Sequence, residues 1–82
     1  MFDVEWTPRA TTSLGAVCLD HPGEWGEINA AEQDINYKLQ RRPLHHSQEV
    51  SEGLRRIISS PLVLYFSIDG NRVEVDAVGW IG

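Results

Sequence analysis

The amino-acid sequence predicts an α+β fold of order β-α-α-β-β-β, with two N-terminal helices packed on one face of an antiparallel sheet. Three observations predict it: an alternating segment at the N-terminus, two apolar stripes at helical spacing between Pro8 and Pro43, and a branched and aromatic run after Pro61 that ends in a turn signal. All 82 residues (1–82) are expected to form a single domain, because so short a chain buries only about 60% of the surface it exposes when unfolded and cannot support two cores.

Phe2, Val4 and Trp6 alternate with Asp3, Glu5 and Thr7, the period-two pattern of a strand with one buried face. Thr7 then offers a capping hydroxyl, and Pro8 fills the first helical position, where its missing N–H costs nothing. Ala10, Leu14, Val17 and Cys18 share one side of the helix that follows, and His21-Pro22-Gly23 ends it near Asp20. Trp25, Ile28, Ala31, Ile35 and Leu39 mark the second helix. Its acids lead and Lys38, Arg41 and Arg42 trail, as the helix dipole favours, and Pro43 stops it.

The polar stretch from Leu44 to Glu52 reads as a loop, after which Leu54 to Ser59 alternates as the second strand. Pro61 marks a break, and Leu62 to Ile68 is the central strand. Asp69-Gly70-Asn71-Arg72 supplies two adjacent residues tolerant of positive φ, so the strand through Val73, Val75 and Ala77 returns antiparallel. Helices grouped ahead of consecutive strands cover one sheet face and leave the other open, and an open face is where a partner or substrate would rest.

Hydrophobic residues at 41% and charged residues at 23% fit a folded globular chain. Cys18 is the one cysteine, so neither an internal disulfide nor a four-thiolate zinc site can be built within the chain. No metal-ligand spacing and no phosphate-cradling glycine loop is present, so no cofactor or metal is expected. Met1 to Glu5 carries acids where a signal peptide needs bases, and no segment approaches the roughly 18 apolar residues of a membrane span. A cytoplasmic protein without membrane contact is the expectation.

The formal net charge of −5 argues against a surface wrapped entirely by nucleic acid. The segment from Lys38 to Arg56 is inverted, however, at net +3 against −8 for the rest. Its Lys38, Arg41, Arg42, Arg55 and Arg56 are the candidate residues for binding nucleic acid or another target. Adjacent strand residues point to opposite faces, so at most one of Arg55 and Arg56 reaches the open face. There, a guanidinium can clamp a phosphate through two parallel hydrogen bonds, which makes these two the catalytic candidates. A solvated pair that blunts a sheet edge is the competing role, as helix capping is for Lys38, Arg41 and Arg42. His45-His46 could supply a base near neutral pH but has no carboxylate or cysteine at ligand spacing, and reads as solvated loop. Cys18, Tyr65 and Trp80 read as packing residues.

Several segments, taken in order, resemble a toxin of the RelE/ParE type: Val4-Glu5-Trp6-Thr7-Pro8-Arg9-Ala10, Ile28-Asn29-Ala30-Ala31 through Ile35 to Leu39 and Pro43, Ser51-Glu52-Gly53-Leu54-Arg55-Arg56-Ile57, Pro61-Leu62 through Tyr65-Phe66-Ser67-Ile68, and Val73-Glu74-Val75. The resemblance runs over nearly the whole chain and implies the toxin of a type II toxin–antitoxin (plasmid stabilisation) system. It implies a cognate antitoxin as protein partner, with growth inhibited at a translation or DNA-topology target, the ribosome and its mRNA or DNA gyrase. The alternatives it leaves are a ribosome-dependent mRNA endonuclease and a non-toxic small protein-interaction domain derived from the family, a homodimer through its sheet edge. In the RNA-cleaving branch, basic residues of the sheet stabilise the scissile phosphate. Their counterpart here is Arg55 or Arg56, and no basic residue follows the last strand in Val78-Gly79-Trp80-Ile81-Gly82.

Overall fold

In the computed structural model, which describes residues 1–82, the chain runs β1 (Asp3–Trp6), α1 (Pro8–Asp20), a short 3-10 helix (Pro22–Glu24), α2 (Trp25–Arg41), β2 (Gln48–Ser51), β3 (Leu54–Ser59), β4 (Leu62–Asp69) and β5 (Arg72–Trp80). The strands form one sheet in the order β1-β5-β4-β3-β2. Ala10 and Val17 of α1 and Ile28, Ala31, Ile35 and Leu39 of α2 bury themselves against Ile57, Leu64, Phe66, Val73 and Val75 in a single core. Both helices therefore cover the same face of the sheet, and nothing covers the other. No helix is long and apolar enough to cross a membrane.

The N-terminal signals form as their chemistry requires. Thr7 Oγ1 accepts a hydrogen bond from the Ala10 amide at 3.1 Å, and Pro8 opens α1. Trp25, the first residue of the second stripe, stays 57% exposed and donates its Nε1–H to the Cys18 carbonyl at 2.7 Å instead of joining the core. Cys18 itself is half-buried against that core. The 3-10 turn carries the chain from α1 into α2, and the His21 ring stacks on Trp80 with centroids 3.6 Å apart.

Two features of the sheet differ from the expectation. Part of the segment expected to be loop, Leu44 to Glu52, is the edge strand β2, paired antiparallel with β3 through Gln48 opposite Arg56 and Glu49 opposite Arg55. All of its residues are exposed, so no buried face imprinted a period on the sequence. The sheet is also mixed, because β1 runs parallel to β5 with Val4 opposite Val73 and Trp6 opposite Val75. The hairpins fix β2 to β5 as antiparallel neighbours, whereas the direction of β1 is set by the helical crossover and not by any local turn.

β1 stops at Trp6 while β5 continues to Trp80, which would strand the outer polar groups of β5. Helix α1 supplies their partners. Thr7 Oγ1 donates to the Val75 carbonyl at 2.9 Å, and the Val78 amide donates to Ser13 Oγ at 3.0 Å. Between these contacts β5 bulges, with Tyr65 opposite Ala77 and Phe66 opposite Val75, leaving Asp76 without a partner in the ladder. The β4–β5 turn places positive φ at Gly70 alone, the pattern of a type II′ hairpin.

Candidate functional site on the open sheet face

Strand alternation separates the two adjacent arginines of β3. Arg55 shares a side with Ile57, which is buried in the core, and with Ser59, whose hydroxyl donates to Asp34 of α2 at 2.8 Å. It therefore belongs to the covered side. There its Nε donates to Ser47 Oγ at 2.8 Å and its Nη2 to the Ser47 carbonyl at 3.1 Å, fastening the segment between α2 and β2. Arg56 shares a side with Ile58, which is 51% exposed, and points to the open face between its partners Gln48 and Tyr65.

One hydrogen bond holds the Arg56 head, from Nη2 to Gln48 Oε1 at 3.0 Å. Its Nε is shielded from solvent and has no hydrogen-bond partner. A shielded donor without a partner costs about 1–3 kcal/mol, so the guanidinium retains binding capacity that the fold does not use. Arg56, Gln48, Ile58, His45, His46 and Ser47 line a cleft of about 320 Å³ at the β2–β3 margin of the sheet.

The fold brings the histidine pair, read from sequence as solvated loop, into contact with this arginine site. Their rings meet edge to face with centroids 4.8 Å apart. The His46 pKa is lowered, first by partial loss of hydration and then by repulsion of its added proton from the side of His45, Lys38 and Arg42, against which only Asp34 pulls. The ring is accordingly neutral at physiological pH and able to accept a proton. Lys38, at 2.9 Å from Asp34, and Arg42 thus contribute positive potential behind the cleft. Arg41 does not join them; its guanidinium lies 4.0 Å above the Tyr37 ring centroid.

Of the five basic candidates, Arg56 alone lines the cleft, with Lys38 and Arg42 near enough to His46 to repel its proton, while Arg55 turns inward and Arg41 lies over Tyr37. His45 and His46, read from sequence as solvated loop, are lining residues, as are Ser47, Gln48 and Ile58, which residue spacing did not single out. The one sequence signal of the two histidines is position, two residues after the proline that stops a basic helix end and two residues before Gln48, which pairs with Arg56. The assembled chemistry is a guanidinium with a spare donor beside a neutral imidazole, which suits an anionic oxygen or a phosphodiester.

The chain superposes on a chain of the toxin–antitoxin complex RelBE2 from Mycobacterium tuberculosis with a TM-score of 0.78 and 18% identity, over 96% of each chain. It superposes on a chain of the chromosomal ParDE TA system from P. aeruginosa with a TM-score of 0.72 and 22% identity, over 100% of this chain and 98% of that one. No family model and no curated protein matches the sequence. The fold of the chain is therefore the α+β fold of these RelE/ParE neighbours, two helices on one face of a five-stranded mixed sheet.

Proposed function

We propose that this RelE/ParE-fold chain is the toxin of a type II toxin–antitoxin system, held inactive by a cognate antitoxin that covers its open sheet face. The fold supports this reading, because both neighbours come from toxin–antitoxin systems and the match extends over essentially the whole chain. The observation that carries it is the bare sheet face, with Arg56 holding an unused donor toward a cleft. Released from its antitoxin, the domain inhibits growth at the ribosome or at DNA gyrase. Induced expression in a bacterial host is expected to arrest growth, and coexpression of the product of an adjacent reading frame to restore it. Unimpaired growth at high expression refutes the reading.

A second reading, ribosome-dependent mRNA cleavage, is favoured by the pairing of Arg56 with a neutral His46. In it, His46 takes the proton of an RNA 2′-hydroxyl as that oxygen bonds to phosphorus, and Arg56 stabilises charge on the phosphorus-bound oxygens. The P–O5′ bond then breaks with the proton passed from His46 to the departing 5′-oxygen, leaving a 2′,3′-cyclic phosphate. Primer extension on translated mRNA tests it. Cleavage abolished by Arg56→Ala and by His46→Ala, but not by Arg41→Ala, is the expected pattern, and intact mRNA during growth arrest excludes it in favour of the gyrase target.

A further inference from the structure

The open face is electrically divided along the strand order. At one margin, Glu5 of β1 and Glu74 of β5 are register partners, with Asp3 on the same side of β1. Like charges directly opposite destabilise a sheet, and only Arg72, 3.6 Å from Glu5, offsets this pair. The bulge in β5 brings Asp76 to the same face, where with Arg9, Leu54, Tyr65 and Ala77 it lines a second hollow of about 460 Å³. The opposite margin carries Arg56, His45 and His46 with Lys38 and Arg42 behind them. Between the margins lie the half-buried Leu54 and Tyr65 beside the buried Val63, an apolar middle. Both clefts of the molecule open on this face.

We propose that the open face receives a peptide segment of a second polypeptide that is apolar in its middle, acidic at the end over Arg56 and His46, and basic at the end over Glu5 and Glu74. A nucleic-acid strand laid across the sheet would bring phosphates onto Asp3, Glu5, Glu74 and Asp76, which Arg9 and Arg72 offset only in part, so a polyanion is disfavoured there and favoured at the basic margin. A segment with two opposite ends satisfies both margins at once, while its middle removes the apolar strip from water. Five strands about 4.8 Å apart span roughly 19 Å, which is about six extended residues or about thirteen helical ones. The proposal rests on the antitoxin reading for the protein that carries the segment, whereas the segment's chemistry follows from the face.

The test is titration of the isotope-labelled full chain with synthetic peptides of about thirteen residues. One has lysines at one end, glutamates at the other and leucine and alanine between; two controls carry lysines at both ends or glutamates at both ends, and a short single-stranded RNA is the fourth probe. The two-signed peptide is expected to shift amides at both margins and to bind about five-fold more tightly than either control. Glu5→Lys combined with Glu74→Lys is expected to transfer the preference to the glutamate-ended peptide. Equal binding of the three peptides, no shifts with the two-signed one, or RNA that shifts both margins overturns the proposal. If the double variant fails to fold, the comparison of peptides on the unaltered chain decides. Growth arrest without peptide selectivity removes this inference alone, and selectivity without growth arrest removes the toxin reading alone.

Discussion

Arg55→Ala and Arg56→Ala are substitutions at adjacent residues from which the fold requires opposite consequences. Arg55 makes two charge-assisted hydrogen bonds to Ser47, at 2.8 and 3.1 Å, and Ser47 in turn donates to the Pro43 carbonyl. Hydrogen bonds to charged groups contribute about 1.5–3 kcal/mol, and the partial exposure of Arg55 places its loss near the lower end, about 2 kcal/mol. In a domain of this size, that lowers the melting temperature by roughly 8–16 °C. Arg56 gives up one exposed hydrogen bond and takes its unpartnered Nε with it, so its removal changes stability by no more than about 0.5 kcal/mol. Thermal and urea unfolding followed by circular dichroism measures both variants. Arg55→Lys keeps the charge but not the forked donors and is expected to recover only part of the loss. Arg56→Ala is expected to leave unfolding unchanged while weakening growth arrest. Equal destabilisation by the two alanines, or an unfolding midpoint indifferent to Arg55, would show that the inward and outward assignments are wrong.

Ser13→Ala removes the acceptor of the Val78 amide and is expected to cost about 1–2 kcal/mol, with hydrogen exchange at Val78 accelerated; unchanged exchange there would mean that α1 does not serve the edge of β5. Gly70→Ala forces a β-carbon onto a residue at φ +60° and is expected to cost about 1–2 kcal/mol in thermal unfolding; an unchanged midpoint would contradict the turn geometry. Asp34 has its pKa lowered by the hydrogen bond from Lys38, then by that from Ser59. Because its folded pKa lies below the unfolded value, its contribution is complete above about pH 4 and is lost as pH falls through the folded value. With the side chain 42% exposed, that contribution stays below about 1 kcal/mol. The pH–stability curves of the wild type and Asp34→Asn should therefore converge in acid, and a gap that persists to the lowest pH would refute the assignment.

What the sequence made legible is what local chemistry determines. Thr7-Pro8 starts α1 because a hydroxyl and a fixed φ are sufficient there, and the stripe from Ile28 to Leu39 is periodic because one side of α2 is buried. The hairpin at Gly70 follows from a single residue's freedom. β2 left no trace because Gln48 to Ser51 bury nothing, and their pairing depends on β3 being present. The parallel partnership of β1 with β5 joins residues almost seventy positions apart, beyond any local pattern. At the site, alternation made it certain that Arg55 and Arg56 part company. Which of them faces outward depends on Ile57 entering the core, and the role of His45 and His46 depends on a turn whose direction the sequence does not encode locally.

These dependencies meet in one short stretch of backbone. Arg55 ties Ser47 from the covered side, and Gln48 pairs with Arg56 on the open side, so the loop bearing His45 and His46 is held by both neighbours at once. A fold of this kind accepts many targets, because the scaffold fixes only that two adjacent β3 side chains diverge; the charges placed around the outward one select what it meets. Here those charges are positive beside Arg56 and negative across the sheet at Glu5 and Glu74. Anionic ligands are thereby favoured at the β2–β3 margin, and a molecule that covers the entire face binds best when it carries both signs.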